Sequence, residues 1–180
     1  MIPFRYAEAS ALVPLLHVKP GPTVVRAVGI MAPLLTAEAL RWRDTTEVWV
    51  DTPMPIKDSR IKMVTKDFVG PVDAVLLSPE IDPEPFIGLL KKGGVIQAAT
   101  YTSSKLTALR DKLKKLTGFA VPYREYLPET LWLVMGSLGT APQRVRRPPD
   151  GTCRVTERFL PALFSFGKDE LPLVFGKDQP

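Results

Sequence analysis

The chain has 180 residues, 45% of them hydrophobic, which is enough to bury one sizeable core in a single domain with a tail. Lys and Arg number 24 against 19 Asp and Glu, for a net charge of +5; the basic residues are scattered, so the charge permits an acidic partner such as nucleic acid without requiring one. A single cysteine, Cys153, and a single histidine, His17, exclude an internal disulfide, argue against a metal centre and leave little room for His-based catalysis.

The start, MIPFRYAEAS, lacks a basic segment followed by a long apolar core, and no run of about 18 apolar residues exists to span a bilayer. A soluble, cytoplasmic protein without membrane association is expected. Prolines at 3, 14, 20 and 22 predict that residues 1–22 form an irregular segment, with at most one helical turn around Ala7–Leu16. Thr23–Gly29 reads as a first strand. Pro33 opens a helix that the strong formers of Thr36–Trp42 continue. Glu47–Asp51 is a second strand ending in a carboxylate, and Ile61–Thr65 a third, with Asp67 just past its end. About ten residues join the second and third strands and about six the third and fourth, short of the dozen or so of a usual parallel crossover. The third strand is therefore expected to be short or displaced.

Ala74–Leu77 is apolar without alternation, as in a parallel strand buried on both faces. Ser78-Pro79 ends it, a short helical segment at Phe86–Leu90 follows, and Lys91-Lys92-Gly93-Gly94 reads as that helix's stop. Val95–Ala99 is the next buried strand, so Val72–Ala99 is a βαβ unit. In open α/β sheets ligands sit beyond the carboxyl ends of such strands. Here those ends are Ser78–Asp82 and Thr100–Thr102. Ser103-Ser104 should cap a helix with Leu106, Leu109, Leu113 and Leu116 on one face, ending at Gly118. Tyr101–Ser104 at that helix start could receive an anion. Ala120–Tyr126 and Leu131–Ser137 form a terminal antiparallel hairpin. Residues 139–180 have no helical period and read as an extended arm whose phenylalanines, at 159, 164, 166 and 175, must be buried against something. Trp42, Trp49 and Trp132 are expected in the core, and His17 in a structural role.

The domain, 23–138, is thus predicted to be α/β: a reduced, Rossmann-like sheet with a C-terminal antiparallel hairpin, preceded by 1–22 and followed by the arm at 139–180. The order of its elements resembles the class I S-adenosylmethionine-dependent methyltransferase fold and, within it, the spermidine synthase group. Val72-Asp73-Ala74-Val75-Leu76-Leu77-Ser78 through Ile81-Asp82-Pro83 is similar to that family's YDVIIVDSSDP, and Leu90-Lys91-Lys92-Gly93-Gly94-Val95-Ile96-Gln97 to its LKPGGxxxxQ. Leu131-Trp132 through Gly136-Ser137 is similar to the hairpin phrase LWxxxxGS, and Leu163–Asp169 to a phrase near the end of long chains of this kind. The resemblance implies that Gly29 and Asp51 contact the cofactor, Asp51 through ribose hydroxyls, that Asp67 lies beside the adenine amine, and that Gln97 is the glutamine after the two glycines. It places Ser78 where the family keeps the aspartate that deprotonates the attacking amine, with Asp82 as the second acid of that loop.

The chain departs from the family at two points of chemistry. After the first strand, Gly29-Ile30-Met31-Ala32-Pro33 has one glycine where several let the backbone approach the cofactor. Ser78 cannot serve as a general base near neutral pH without a base of its own. The expected function is a degenerate, non-catalytic domain acting as a binding or assembly module, without a cofactor, whose protein partner or second copy docks through residues 140–180. A divergent aminopropyl- or methyltransferase would instead bind S-adenosylmethionine or its decarboxylated form and use Asp82 or Glu80 as base. Glu80, Asp82 and Glu84 could alternatively hold a polyamine or Mg²⁺. The third reading is a basic accessory protein that associates with nucleic acid, resting on Arg144-Val145-Arg146-Arg147.

Overall fold

A computed structural model describes residues 3–65, 68, 70–124, 131–146, 149 and 164. Seven strands form one sheet: β1 (Thr23–Val28), β2 (Thr45–Val50), β3 (Ile61–Met63), β4 (Val72–Leu77), β5 (Leu90–Thr100), β6 (Gly118–Arg124) and β7 (Trp132–Leu138), in the spatial order β3-β2-β1-β4-β5-β7-β6. The first five are parallel, and β7 runs antiparallel between β5 and β6. The terminal hairpin is therefore present, with its second strand inserted next to β5. Ala74, Val75, Leu76 and Leu77 of β4 are wholly inaccessible to solvent, as an apolar run in mid-sheet must be.

Helices α1 (Pro3–Leu15) and α2 (Ala32–Ala39) pack on one face, and α3 (Leu106–Thr117) on the other. The N-terminal segment departs from expectation: it forms a helix of 13 residues rather than a single turn. Pro3 stands at its first position, where no N–H is required, and Pro14 falls in its last turn, so neither interrupts it. Between them Ala7, Ala9, Ala11, Leu12 and Val13 are buried, and burial of this apolar run outweighs the punctuation. His17 closes the end, donating from Nδ1 to the Val13 carbonyl at 2.7 Å. Burial lowers its pKa.

The Lys91–Gly94 stretch also differs from its reading as a helix stop. The preceding segment is a 3₁₀ turn at Glu84–Leu89, and Lys91–Gly94 lies inside β5. There the pairing with β4 jumps from Val72–Leu90 to Ala74–Val95, a bulge. Gly93 takes a φ of +78°, and a Cβ on Gly94 would stand 2.8 Å from the Lys91 carbonyl oxygen. The two glycines serve the bulge. Asp73 fixes it on the other side, accepting from Val24 N at 2.8 Å and from Lys91 Nζ at 2.9 Å. Nor do Ser103 and Ser104 cap α3; they form a 3₁₀ turn ahead of it, and Lys105 holds the cap position without a side-chain capping bond.

The third strand is short, as its connections required, and no helix separates β2 from β3. On the α3 side, where a crossover helix would lie over β1 and β2, Phe68 stacks on Trp49 with ring centroids 4.6 Å apart. Trp42 is buried; Trp49 and Trp132 are half-buried. Among the described residues no helix is long and apolar enough to cross a membrane.

The first part of the arm returns to its own domain. Val145 N and Arg146 N both donate to the Leu16 carbonyl, at 2.9 and 3.1 Å. Arg146 is 7% exposed: its guanidinium bonds Thr23 Oγ1 at 2.7 Å and the Lys19 carbonyl, pairs with Asp44 at 3.2 Å and lies 5.6 Å from the Trp42 ring. One member of the basic cluster is thus an internal tie rather than a surface charge. Phe164 touches Tyr123 of β6, ring centroids 5.9 Å apart. Most of the arm, with Phe159, Phe166 and Phe175, lies outside the described residues. Replacing Arg146 by Ala strands Asp44 and several carbonyls and removes a buried, hydrogen-bonded charge; we expect a loss of about 2–4 kcal/mol in urea unfolding. A midpoint indistinguishable from wild type would mean that the arm's root contributes nothing to the fold.

Candidate functional site

The carboxyl ends of β1, β4 and β5 are adjacent in the sheet, so the loops that follow them meet. The tightest meeting is between the turn after β1 and Ser78 after β4. Ser78 is 2% exposed. Its hydroxyl donates to the Val28 carbonyl at 2.8 Å and accepts from Met31 N at 2.8 Å, while its own N–H bonds Val28 O at 3.0 Å. Ala32 N then returns to Gly29 O at 2.9 Å and α2 begins at once. Gly29 has a φ of +90°, and a Cβ there would collide with Ile81 and stand 2.7 Å from Ser78 Oγ. Glycine is required here because β4's end presses on it. With the turn drawn in this way, the Ile30 side chain is left 90% exposed.

One strand over, Asp51 follows the last residue of β2 and is paired with Arg26. Arg26 belongs to β1 and is 3% exposed; the same guanidinium donates to the carbonyls of Ala27 and Trp49 at 2.9 and 3.0 Å. The carboxylate that would meet ribose hydroxyls is therefore already engaged by a buried cation. Sequence reasoning missed Arg26, although a charge inside the apolar run Thr-Val-Val-Arg-Ala-Val was a visible signal. Asp67 lies outside the described residues. Gln97 is wholly buried in β5; its Oε1 accepts from Leu77 N at 3.1 Å, tying β5 to β4, and among the described residues Nε2 has no hydrogen-bond partner.

Glu80 and Asp82 lie together, on the β5 side of Ser78. Glu80 has a φ of +62°, a backbone state unusual for a residue with a side chain. It is fixed from several directions: its N–H bonds Ala99 O at 2.9 Å, its Oε1 accepts from Thr100 Oγ1 at 2.7 Å and Tyr101 N at 3.0 Å, and its Oε2 from Lys105 Nζ at 2.9 Å. These donors, Lys105 first, lower its pKa to about 2. Asp82 accepts from Lys112 Nζ at 2.8 Å and from Glu84 N at 3.0 Å, and the same lysine pairs with Glu84 at 3.0 Å. Lys112 leads the causes that lower the Asp82 pKa. Both acids are held ionised with their oxygens occupied. Among the described residues no group of three or more His, Cys, Asp or Glu is placed to hold a metal ion. At the anion position suggested for Tyr101–Ser104, two of the amides are in use, Tyr101 N bonding Glu80 Oε1 at 3.0 Å and Thr102 N bonding Thr100 Oγ1 at 3.2 Å.

Between this loop and α3 lies an open cleft of about 260 Å³. Ile81, Ala99, Ala108 and Leu109 give it an apolar lining, and the Lys105–Glu80 and Lys112–Asp82 pairs stand on its rim. Lys112 comes from α3 and Lys105 from the cap position before it, two turns apart, and neither was singled out from sequence because the exposed face of an amphipathic helix is charged in any case.

The fold has solved counterparts. The spermidine synthase of Thermotoga maritima superposes with a TM-score of 0.76 at 16% identity, covering 95% of this chain and 74% of that one. A spermidine synthase in complex with the transition-state analogue AdoDATO superposes with a TM-score of 0.74 at 18% identity, covering 95% and 75%. No protein-family model matches the sequence, and no curated protein does. The chain has the methyltransferase-type α/β fold in its spermidine-synthase-like form.

A carboxylate whose folded pKa lies below its unfolded value of about 4.3 adds stability that is complete above that value and is lost as pH falls toward the folded pKa. For Glu80 the window runs from about pH 4.5 down to about 2. The Glu80→Gln variant should lose stability at pH 7 and show a flatter decline of its urea midpoint across that window than wild type. Parallel curves for the two proteins would show that the Lys105 and Thr100 contacts do not form in solution.

Proposed function

We propose that this chain is a spermidine-synthase-like domain that has set aside group transfer and serves as a binding or assembly module. One observation supports the reading: Ser78, which the sequence resemblance puts in the place of the amine-deprotonating acid, is buried, with its hydroxyl taken up in closing the turn after β1. Aminopropyl transfer requires a base within reach of the attacking amine and a crevice that admits the nucleoside. Ser78 provides neither a base nor a free hydroxyl. Glu80 and Asp82, the remaining acids of the loop, are bonded by lysines and amides that lower their pKa values, which makes them poor bases at neutral pH. Asp51 is paired with Arg26. The module's contact with a protein partner or a second copy is assigned to residues 140–180.

The alternative, a divergent transferase, differs in one measurable respect: it binds a nucleoside. A ligand that occupies only the folded state at ten times its Kd adds about 1.4 kcal/mol, a rise of several degrees in Tm for a domain of this size. We expect no rise with S-adenosylmethionine, its decarboxylated form or methylthioadenosine at millimolar concentration. A rise of several degrees with any of them would overturn the proposal and restore the transferase reading. A second measurement addresses the base. Ser78→Asp would put an unpaired carboxylate against the Val28 carbonyl in a buried position, so the variant should be destabilised by about 3 kcal/mol or more and show no aminopropyl transfer. A stable variant with transfer activity would mean that the crevice is intact and lacked only its acid.

A further inference from the structure

The cleft beside α3 combines an apolar lining with a rim that carries both signs of charge: Lys105 and Lys112 from the helix, Glu80, Asp82 and Glu84 from the facing loop. A fitting occupant has one large apolar group followed closely by a cation and an anion. The sequence contains such a segment twice. Phe-Gly-Lys-Asp occurs at 166–169 and again at 175–178.

The first copy is too near Phe164 to reach the cleft, because Phe164 is held against Tyr123 on the α1 side of the sheet. The second copy is within range. Tyr123 lies next to the end of β6, which runs parallel to β5, so Phe164 stands at the same edge of the sheet as the cleft. From β6 to β4 is three strand spacings, about 14 Å, and passing to the other face adds about 10 Å. An extended chain from Phe164 to Phe175 covers up to about 36 Å.

We propose that the cleft lined by Ile81, Ala108, Leu109, Lys105 and Lys112 is a docking site for the chain's own Phe175-Gly176-Lys177-Asp178. The Phe175 ring fills the apolar lining, Lys177 meets Asp82 and Glu84, and Asp178 meets Lys105 or Lys112. Gly176 lets the backbone turn closely over the rim. This deepens the module reading, on which it rests in treating the arm as a docking element: cleft and arm become two halves of one recognition pair. A partner offering the same chemistry would engage the domain by displacing the arm.

The test is disulfide trapping in the full chain with Cys153 replaced by Ser. Ala108→Cys, exposed at the cleft, is combined with Gly176→Cys; the control combines Gly176→Cys with Phe119→Cys, exposed on β6. With oxidised glutathione, the cleft pair should close within one chain at least tenfold faster than the control, at a rate unchanged by tenfold dilution. Adding Phe175→Ser should bring it down to the control rate, with an unaltered circular dichroism spectrum confirming the fold. Equal rates for the two pairs, indifference to Phe175→Ser, or bonds formed only between molecules would each overturn the proposal. Because the readout involves no nucleoside, its failure is distinguishable from a failure of the module reading, which the ligand titration decides.

Discussion

The Ser78 hydroxyl is the bond on which the arrangement of the carboxyl edge depends. By donating to Val28 O and accepting from Met31 N, it joins the last residue of β1 to the approach to α2 through a side chain from β4. An aspartate could not make this pair of contacts while ionised, since a carboxylate only accepts. A hydroxyl at this place both donates and accepts, and so it draws the turn inward. Once the turn is drawn in, only glycine fits at 29, α2 starts immediately, and Ile30 is turned outward into solvent. The same edge makes Glu80 adopt its positive φ, because the chain leaving the buried Ser78 must turn back to reach Ala99 O and Thr100 on β5. Its bonds to Ala99, Thr100, Tyr101 and Lys105 hold a backbone state that would otherwise cost about 1 kcal/mol or more.

A second consequence concerns charge. Asp51, Glu80 and Asp82 are each paired with a cation: Arg26, Lys105 and Lys112 respectively. The three pairs are not equivalent. Lys105 and Lys112 are well exposed, so their pairs are worth little to stability and exchange readily with solvent or with another charged group. Arg26 is buried and also satisfies two backbone carbonyls, so its removal from Asp51 would strand a desolvated cation. The edge is thus rigid over β1 and β2 and exchangeable over β4 and β5.

Much of this fold was legible in the sequence because its signals are local and redundant. The unbroken apolar run of β4 announced a central parallel strand, the leucine spacing fixed α3, and the short links around β3 announced a reduced edge. What was not legible follows from tertiary context. The proline pattern of residues 1–22 reads as interruption, but a proline in the first turn and another in the last are compatible with the helix between them, and burial against α2 and the sheet decided the matter. Gly93-Gly94 fits a helix stop and a strand bulge equally well, and only the register with β4 separates the two. At the site, the sequence named the residues at the strand ends but not their partners: Arg26, Lys105 and Lys112 come from elements whose charges look like ordinary surface until the chain is folded.

The basic balance of the chain has to be weighed in the same way. A net charge of +5 suggests a polyanion only if the cations form a free field, and the Arg144–Arg147 cluster was the densest candidate. Arg146 is withdrawn from that field by burial against Thr23 and Trp42, where desolvation lowers its pKa and Asp44 partly offsets the cost. The guanidinium gathers Lys19, Gly21, Thr23 and Asp44, four points on the amino side of the sheet, and anchors the root of the arm there. Phe164 meets Tyr123 near the opposite, carboxyl edge. Arg146 and Phe164 are thus held at opposite edges of the sheet, and Phe164 stands at the edge where the exposed ion pairs lie. A tail directed only at a distant partner would need neither point of attachment, whereas a tail that belongs to its own domain is served by both.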